Sequence, residues 1–141
     1  MTTRSDRDDD TDVLDGLVRV SFTVIALLSQ TAAAHELSLT QLRVLAILRD
    51  REPKMAELAT HLGLDRSSVS GLIDRAAGRG LVRRGTSSDD GRAVRVSLTA
   101  EGRRLTRVLT AEIADLIGPL TRNLSAADRR RLGILLNKAL D

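Results

Sequence analysis

Residues 65–98 constrain the fold of this chain most, because they combine a short amphipathic helix with two short alternating runs. Three apolar residues recur there at three- and four-residue spacing and predict one buried helix face: Val69, Leu72 and Ile73. Asp65 precedes them and suits an N-cap, because its carboxylate can accept the free backbone N–H of Ser67 or Ser68. Gly80 is the candidate for the left-handed position that closes the helix.

A β-hairpin is predicted directly after this helix. Residues 81–84 and 94–98 alternate apolar and polar side chains. The segment between them, 85–91, is rich in turn formers. Two short alternating runs around such a segment are typical of a hairpin.

A shorter helix is predicted before Asp65. Segment 53–63 places Leu58, Ala59 and Leu62 on one inward face, and Gly63 lies in the turn that follows. Two helices joined by a turn of three or four residues that contains a glycine are typical of a helix-turn-helix. With the hairpin added, the sequence predicts a winged helix-turn-helix.

The polar side of the second helix carries hydroxyl and guanidinium groups instead of Glu–Lys pairs. Its first turns hold Arg66, Ser67, Ser68 and Ser70. These groups can donate to phosphate oxygens and to base edges in the major groove of a duplex. Arg92, at the tip of the hairpin, is placed to reach a backbone or an adjacent minor groove. The pattern also fits a solvated helix face beside an ordinary hairpin.

Basic residues concentrate in this part of the chain, although the net charge is only +3. Residues 65–107 hold ten arginines against five acidic residues. Basic clustering on one face is typical of a nucleic-acid-binding surface, but an Arg-rich soluble surface has the same composition. For Arg83, Arg84 and Arg95, an outward strand face and a phosphate contact are equally consistent with the sequence.

Composition argues against several other functions. The chain has no Cys, which excludes disulfides, thiolate zinc sites and a thiol peroxide sensor. His35 and His61 form no ligand cluster, and there is no Gly-rich phosphate loop, so we predict no metal, no cofactor and no enzymatic activity. Phe22 is the only aromatic residue, which argues against base-stacking platforms. With no signal peptide and no apolar run of membrane-span length, we expect a cytoplasmic protein without a membrane partner.

Both ends of the chain are predicted to be helical arms. Residues 1–11 are acidic and are predicted to be disordered, and residues 12–141 to form a single domain. Within it, residues 12–36 predict a helix that is apolar on more than one side, so one side is interpreted as a subunit interface. A second apolar arm is predicted for residues 104–141, on the far side of the winged helix-turn-helix at 38–102. The predicted fold class is therefore mainly α, an α+β winged helix with N- and C-terminal dimerisation helices.

Three sequence patterns together resemble the MarR family of bacterial transcription regulators. They are LTQLRVL at 39–45, ELATHLGLDRSSVSGLIDRAAGRGLVRR at 57–84 and DGRAVRVSLTAEG at 90–102. The resemblance covers residues 38–104 closely and the flanking helices by pattern only. It implies a homodimeric, sequence-specific DNA-binding regulator, most simply a repressor. The expected partners are an inverted-repeat operator in double-stranded DNA, a second copy of the chain and a small-molecule effector that releases the DNA.

The resemblance also implies roles for single residues. The DNA-contacting positions of the family fall on Arg66, Ser67, Ser68, Ser70, Arg75 and Arg92. Arg92 corresponds to the wing-tip arginine that enters the minor groove, and Asp90 to the acidic residue that orients it. Gly71 departs from the family, because many relatives carry a larger and often basic residue there. No residue of an effector site is identified, and a winged helix that binds proteins instead of DNA stays as the alternative.

Overall fold

Six α-helices and a two-stranded sheet make up the part of the chain that the structure describes. The computed structural model describes residues 4–86, 91 and 93–141, with side chains from residue 7 onward. In chain order the elements are α1 (Arg4–Ala34), α2 (Leu39–Asp50), α3 (Met55–Leu62), α4 (Arg66–Gly78), β1 (Val82–Thr86), β2 (Val94–Leu98), α5 (Ala100–Ile117), a 3-10 turn (Gly118–Thr121) and α6 (Ala126–Leu140). The predicted fold class, a mainly helical winged helix-turn-helix, is confirmed.

Helices α2, α3 and α4 surround the core of the winged domain. The Ser38 hydroxyl accepts the Gln41 backbone N–H at 3.1 Å, and the Gln41 side chain accepts the Ser38 N–H at 2.9 Å, which is a capping box. Gly63 ends α3 with a left-handed φ of 66°, and this turn sets α3 against α4. The apolar faces predicted for α3 and α4 are buried: Leu58, Ala59, Leu62, Val69, Leu72 and Ile73.

The wing is a tight antiparallel hairpin that is also tied to the chain before α3. Val82 pairs with Leu98 at its base and Thr86 with Val94 at its outer end. The Val96 N–H donates to the Pro53 carbonyl at 2.9 Å, on the free edge of β2. The segment before α3 therefore adds a short third pairing to the sheet.

Helix α1 begins at Arg4, which corrects the predicted disorder of residues 1–11 for the described part of that segment. Acidic residues are favourable near the start of a helix, because the free N–H groups there carry partial positive charge. Asp8 and Asp9 lie within the first two turns, and the Thr11 hydroxyl donates to the Arg7 carbonyl at 2.8 Å. The acidic composition is thus compatible with a longer helix.

Helix α1 is also long and apolar enough to cross a membrane. Among the described residues, Arg7–Ala34 contains an 18-residue window with a mean hydropathy of 1.5. The prediction that no apolar run reaches membrane-span length is therefore wrong. Length and composition alone make this a weak indication, because buried core helices and N-terminal signal sequences meet the same criteria, and 11% of this window is buried within the described chain. The last turns of α1 are packed inside the protein, where Thr31 and Ala32 are buried.

The arms leave much apolar surface uncovered by the chain itself. Phe22 on α1 is 70% exposed and Ile134 on α6 is 67% exposed, and α6 buries none of its residues. Helix α5 belongs both to the winged domain and to the C-terminal arm. Leu105 and Leu109 in its first half are buried in the winged domain, whereas Leu116 near its end is exposed. The boundary expected at residue 104 therefore falls inside one continuous helix.

Candidate nucleic-acid interface

The start of α4 is held by hydrogen bonds to Asp65. Its Oδ1 accepts the Ser68 backbone N–H and the Ser67 hydroxyl, each at 2.7 Å. The donation from the Ser68 N–H, and after it that from the Ser67 hydroxyl, hold the pKa of Asp65 below its ordinary value, because both stabilise the carboxylate. The geometry confirms the N-cap. Since the Ser67 hydroxyl hydrogen is used inside the protein, Ser67 offers its oxygen lone pairs as acceptors in this rotamer.

The candidate contact residues of α4 lie on its solvent-facing half. Arg66, Ser67, Ser68 and Arg75 are exposed, and Ser70 is half-buried. The structure thus brings the sequence-predicted positions of α4 together on one accessible surface. The opposite half of the helix lies in the core, so α4 can present this surface without losing its packing.

Arg75 extends back along α4 towards Gly71. A Cβ atom on Gly71 would lie 3.4 Å from Arg75 Nη1, which is ordinary van der Waals contact. Long side chains on a helix point towards its N-terminus, so this direction is the expected one. Arg75 is itself exposed, so its guanidinium group is accessible on this surface.

A shallow cleft of about 380 Å³ lies between the start of α4 and the wing. Its lining residues are Met55, Arg66, Ser67, Ser70, Arg84 and Val94. Arg66, Ser67 and Ser70 thus meet the wing across the cleft. The helix and the hairpin form one continuous surface that could follow a duplex from the major groove to an adjacent minor groove.

Three wing arginines, for which the sequence left a phosphate contact and an outward strand face equally open, make hydrogen bonds or ion pairs within the protein. Arg83 Nε donates to the Ser97 hydroxyl at 3.3 Å, and Arg95 Nη1 donates to the Glu52 carbonyl at 2.9 Å. Arg84 Nη2 lies 2.7 Å from Asp74 Oδ1. These three guanidinium groups therefore hold the wing together or tie it to the body.

Arg79 has a comparable role at the other end of α4. Its two Nη atoms donate to the Glu36 carbonyl at 2.9 Å and to the His35 carbonyl at 3.0 Å. Glu36 has a positive φ of 57°, which is unusual for a residue other than glycine. The bonds from Arg79 fasten this turn to the C-terminus of α4. Arg79 is thus engaged in structure, a role that composition alone does not reveal.

Two of the predicted site residues, Arg92 and Asp90, lie outside the described residues. The roles of Arg92 and Asp90 stay predictions.

An apolar pocket that sequence reasoning missed lies between α1, α2 and α5, with a volume of about 430 Å³. Its lining residues are Ile25, Leu28, Leu39, Leu42, Arg43, Leu45, Ala46, Arg49, Thr106, Leu109, Thr110 and Ile113. Pockets of this size are typical of small-molecule sites. Hydrophobic periodicity marks these residues as helix faces, but it does not distinguish a packed seam from an open one.

The two histidines serve structural contacts. His35 Nε2 lies 2.8 Å from Glu112 Oε2 and links the end of α1 to α5. His61 Nε2 lies 3.3 Å from Arg51 Nη1. Within residues 4–86, 91 and 93–141, no group of three or more His, Cys, Asp or Glu side chains could hold a metal ion.

Helix α4 exposes a side that bears hydroxyl and guanidinium groups, and it lies beside a two-stranded wing. These two features together define a DNA-binding winged helix protein. The sequence model of the MarR family matches residues 35–93, from the end of α1 to the wing. Over residues 35–93 the chain is similar to the MarR family of transcription regulators, and solved structures of MarR-family regulators share its fold. Proteins of this family are soluble regulators that bind DNA and small-molecule effectors, and not enzymes, so the prediction of a non-enzyme is confirmed.

Individual relatives support the assignment. YfiV, an uncharacterized HTH-type transcriptional regulator of Bacillus subtilis strain 168, is 33% identical over 75 residues, which are 52% of this chain. The match spans 47% of YfiV, about half its length. NicR, an HTH-type transcriptional repressor of Pseudomonas putida KT2440, is 29% identical over 117 residues, covering 82% of this chain and 74% of NicR. The structure of Bordetella bronchiseptica BpsR, whose DNA binding is regulated by 6-hydroxynicotinic acid, has a TM-score of 0.73 at 27% identity and covers 92% of this chain and 99% of BpsR.

Proposed function

We propose that the protein is a homodimeric repressor that binds an inverted-repeat operator and is released by a small-molecule effector. The observation that carries this proposal is the capped, solvent-facing start of α4 beside the wing. Arg66, Ser67, Ser68 and Ser70 would contact base edges or phosphates in the major groove, and Arg75 would contact the duplex further along the helix. Arg92 would enter the adjacent minor groove, where negative potential is enhanced when the groove is narrow, and Asp90 would orient it.

The arms support dimerisation. A soluble monomer rarely exposes a large contiguous apolar patch, yet α1 and α6 leave many of their apolar side chains uncovered within the chain. A second copy with the same exposed helices would bury them in a two-fold interface. Two recognition helices in such a dimer would fit half-sites spaced by about one helical turn, ~34–36 Å. A repressor of this kind would act in the cytoplasm.

The apolar pocket is the proposed effector site. It is lined by the arm helices α1 and α5 and by α2 of the winged domain, so a ligand there would contact both parts of the molecule. Arg43 supplies a cationic group at the pocket and also donates to the His61 carbonyl, near the end of α3, at 2.9 Å. An acidic ligand that attracted Arg43 would therefore perturb the helix-turn-helix. The response of BpsR to 6-hydroxynicotinic acid supports a ligand of this size.

The decisive test is DNA binding by the full chain at several salt concentrations. We expect a duplex selected from a random pool to contain an inverted repeat, and its binding constant to fall steeply with salt, because phosphate contacts release counterions. A winged helix that binds only proteins would select no sequence and show no such slope, which would refute the proposal.

The effector site has its own test. A panel of small aromatic acids that includes 6-hydroxynicotinic acid should contain compounds that release the selected duplex. Ala46→Trp, which fills the pocket, should retain DNA binding and lose this response. Release that is unchanged in Ala46→Trp would place the effector site elsewhere.

A further inference from the structure

The outer part of β1 has no apolar attachment to the body of the protein. Val82 is buried at the base of the strand, but Arg83, Arg84, Gly85 and Thr86 are exposed. The direction in which this part of the wing extends therefore depends on its backbone pairing with β2 and on polar contacts. Such a segment belongs to the low-stability part of a fold, because few buried apolar contacts restrain it.

Arg84 links this exposed strand to α4. Its Nη2 lies 2.7 Å from Asp74 Oδ1 and donates to the Ser70 backbone carbonyl at 3.3 Å. Ser70 and Asp74 are four residues apart, about one helical turn, and lie on the same side of the helix. A single guanidinium group therefore contacts two successive turns of α4.

The other strand is attached to a different part of the protein. On β2, the Val96 N–H donates to the Pro53 carbonyl and Arg95 donates to the Glu52 carbonyl, both at 2.9 Å. The hairpin is thus held on both sides, by the segment before α3 and by Arg84 on α4. Only the second attachment connects the wing directly to the recognition helix within the described residues.

We propose that the Arg84–Asp74 ion pair is a brace that fixes the angle between the wing and α4, and that both are positioning residues for operator discrimination. The inference rests on the proposed DNA binding. The side chains of Arg84 and Asp74 are 34% and 65% exposed, and exposed ion pairs contribute little to folding stability. The pair instead pre-organises two elements that must enter neighbouring grooves at the same time.

Pre-organisation affects cognate and random duplexes differently. On the operator, α4 and the wing must be in register together, so a mobile wing would have to be ordered during binding. On random DNA, where phosphate attraction dominates, that register is not required. Loss of the brace should therefore lower the ratio of operator binding to random binding.

A phosphate contact by Arg84 is the competing role, and the two roles predict opposite signs for Asp74. If Arg84 binds phosphate, Asp74→Ala frees Arg84 and removes a negative charge near the DNA, so all duplexes bind more tightly. If the pair is a brace, Asp74→Ala weakens operator binding in spite of the favourable change in charge.

The test is a double-mutant cycle on the full-length protein. Asp74→Ala, Arg84→Ala and the double variant are assayed against the duplex selected by the wild-type protein and against a random duplex, after thermal melting confirms that each is folded. We expect each single variant to lose about tenfold in the operator-to-random ratio, and the double variant to lose no more than either one, because the two changes remove one interaction.

Glu101→Ala is the matched control. Glu101 forms an exposed pair with Arg104 at 2.6 Å within α5, so its loss removes the same charge and breaks a similar ion pair without touching the wing. We expect its operator-to-random ratio to equal that of the wild type. Tighter operator binding by Asp74→Ala, or additive losses in the double variant, would overturn the brace. Failure of the wild-type protein to select any sequence would instead refute the proposed function.

Discussion

Gly102, in the first turn of α5, packs directly against the backbone of Leu81 at the base of the wing. A Cβ atom on Gly102 would overlap the Leu81 carbonyl oxygen and would stand 3.2 Å from Leu98 Cδ2. The same carbonyl accepts the Thr99 N–H at 3.0 Å. The contact joins the end of α4, the wing and α5 at one point, so the absence of a side chain at residue 102 allows the arm to continue directly from the winged domain.

Replacement of Gly102 should therefore destabilise the whole protein. We expect Gly102→Ala to lower the free energy of unfolding by about 1–3 kcal/mol, the usual range for overpacking a site that has no room. Urea denaturation at fixed protein concentration measures the change. Gly78→Ala is the control, because Gly78 is exposed in α4 with open space around it, and it should be neutral or slightly stabilising. Equal effects of the two substitutions would contradict the proposed packing.

The N-cap of α4 should make stability depend on pH in the acidic range. The pKa of Asp65 is lowered in the folded protein by the Ser68 N–H and the Ser67 hydroxyl, so its stabilising contribution is present above 3.8, the ordinary value. It is lost as the pH falls through the lower, folded-state pKa. Asp65→Asn keeps an acceptor but no charge. At pH 6 the wild-type protein should have a higher free energy of unfolding than Asp65→Asn, and this difference should shrink below pH 3.8. A difference that stays constant with pH would contradict the role of the Asp65 charge as N-cap.

An acidic residue on the uncovered face of α6 should disrupt the proposed dimer. Leu135 is half exposed within the chain, and Leu135→Glu would place a charge in the interface that we propose for it. Sedimentation at micromolar concentration should give a mass near twice 15.3 kDa for the wild type and a smaller mass for the variant. Ala56→Glu, an exposed position on α3, is the control and should sediment as the wild type does. A variant that stays dimeric would exclude this face of α6 from the interface.

The wing tip should supply affinity without sequence preference. We expect Arg92→Ala to weaken binding to operator and random duplexes alike and to lower the salt slope by about one unit. Asp90→Ala should reproduce part of this loss, because we propose that Asp90 orients Arg92. Binding titrations over a range of salt concentrations measure both effects. Tighter DNA binding by Asp90→Ala would show that charge repulsion outweighs any orienting role.

Local patterns predict much of this fold, because they reflect interactions between residues that are close in the chain. The N-caps at Ser38, Asp65 and Ser125 each use a side chain and an N–H three residues on, so the sequence carries both partners. The left-handed glycine at 80 follows from the low steric barrier of that residue. Apolar spacing indicates the buried faces of α3 and α4 because it, too, depends only on residues that are close in the chain. The winged helix-turn-helix was thus predictable from short-range chemistry.

Features that depend on distant segments became visible only in the folded chain. Composition places Arg79, Arg84 and Arg95 in a basic stretch and leaves their partners open, but each donates to a group contributed by another segment. The pocket between α1, α2 and α5 exists because three apolar faces meet without filling the space between them. Spacing along one helix records which side is apolar and carries no information about the distance to the facing helix. The determinants of the helix-turn-helix are therefore local, whereas the partners of its arginines and the opening of its pocket are set by tertiary packing.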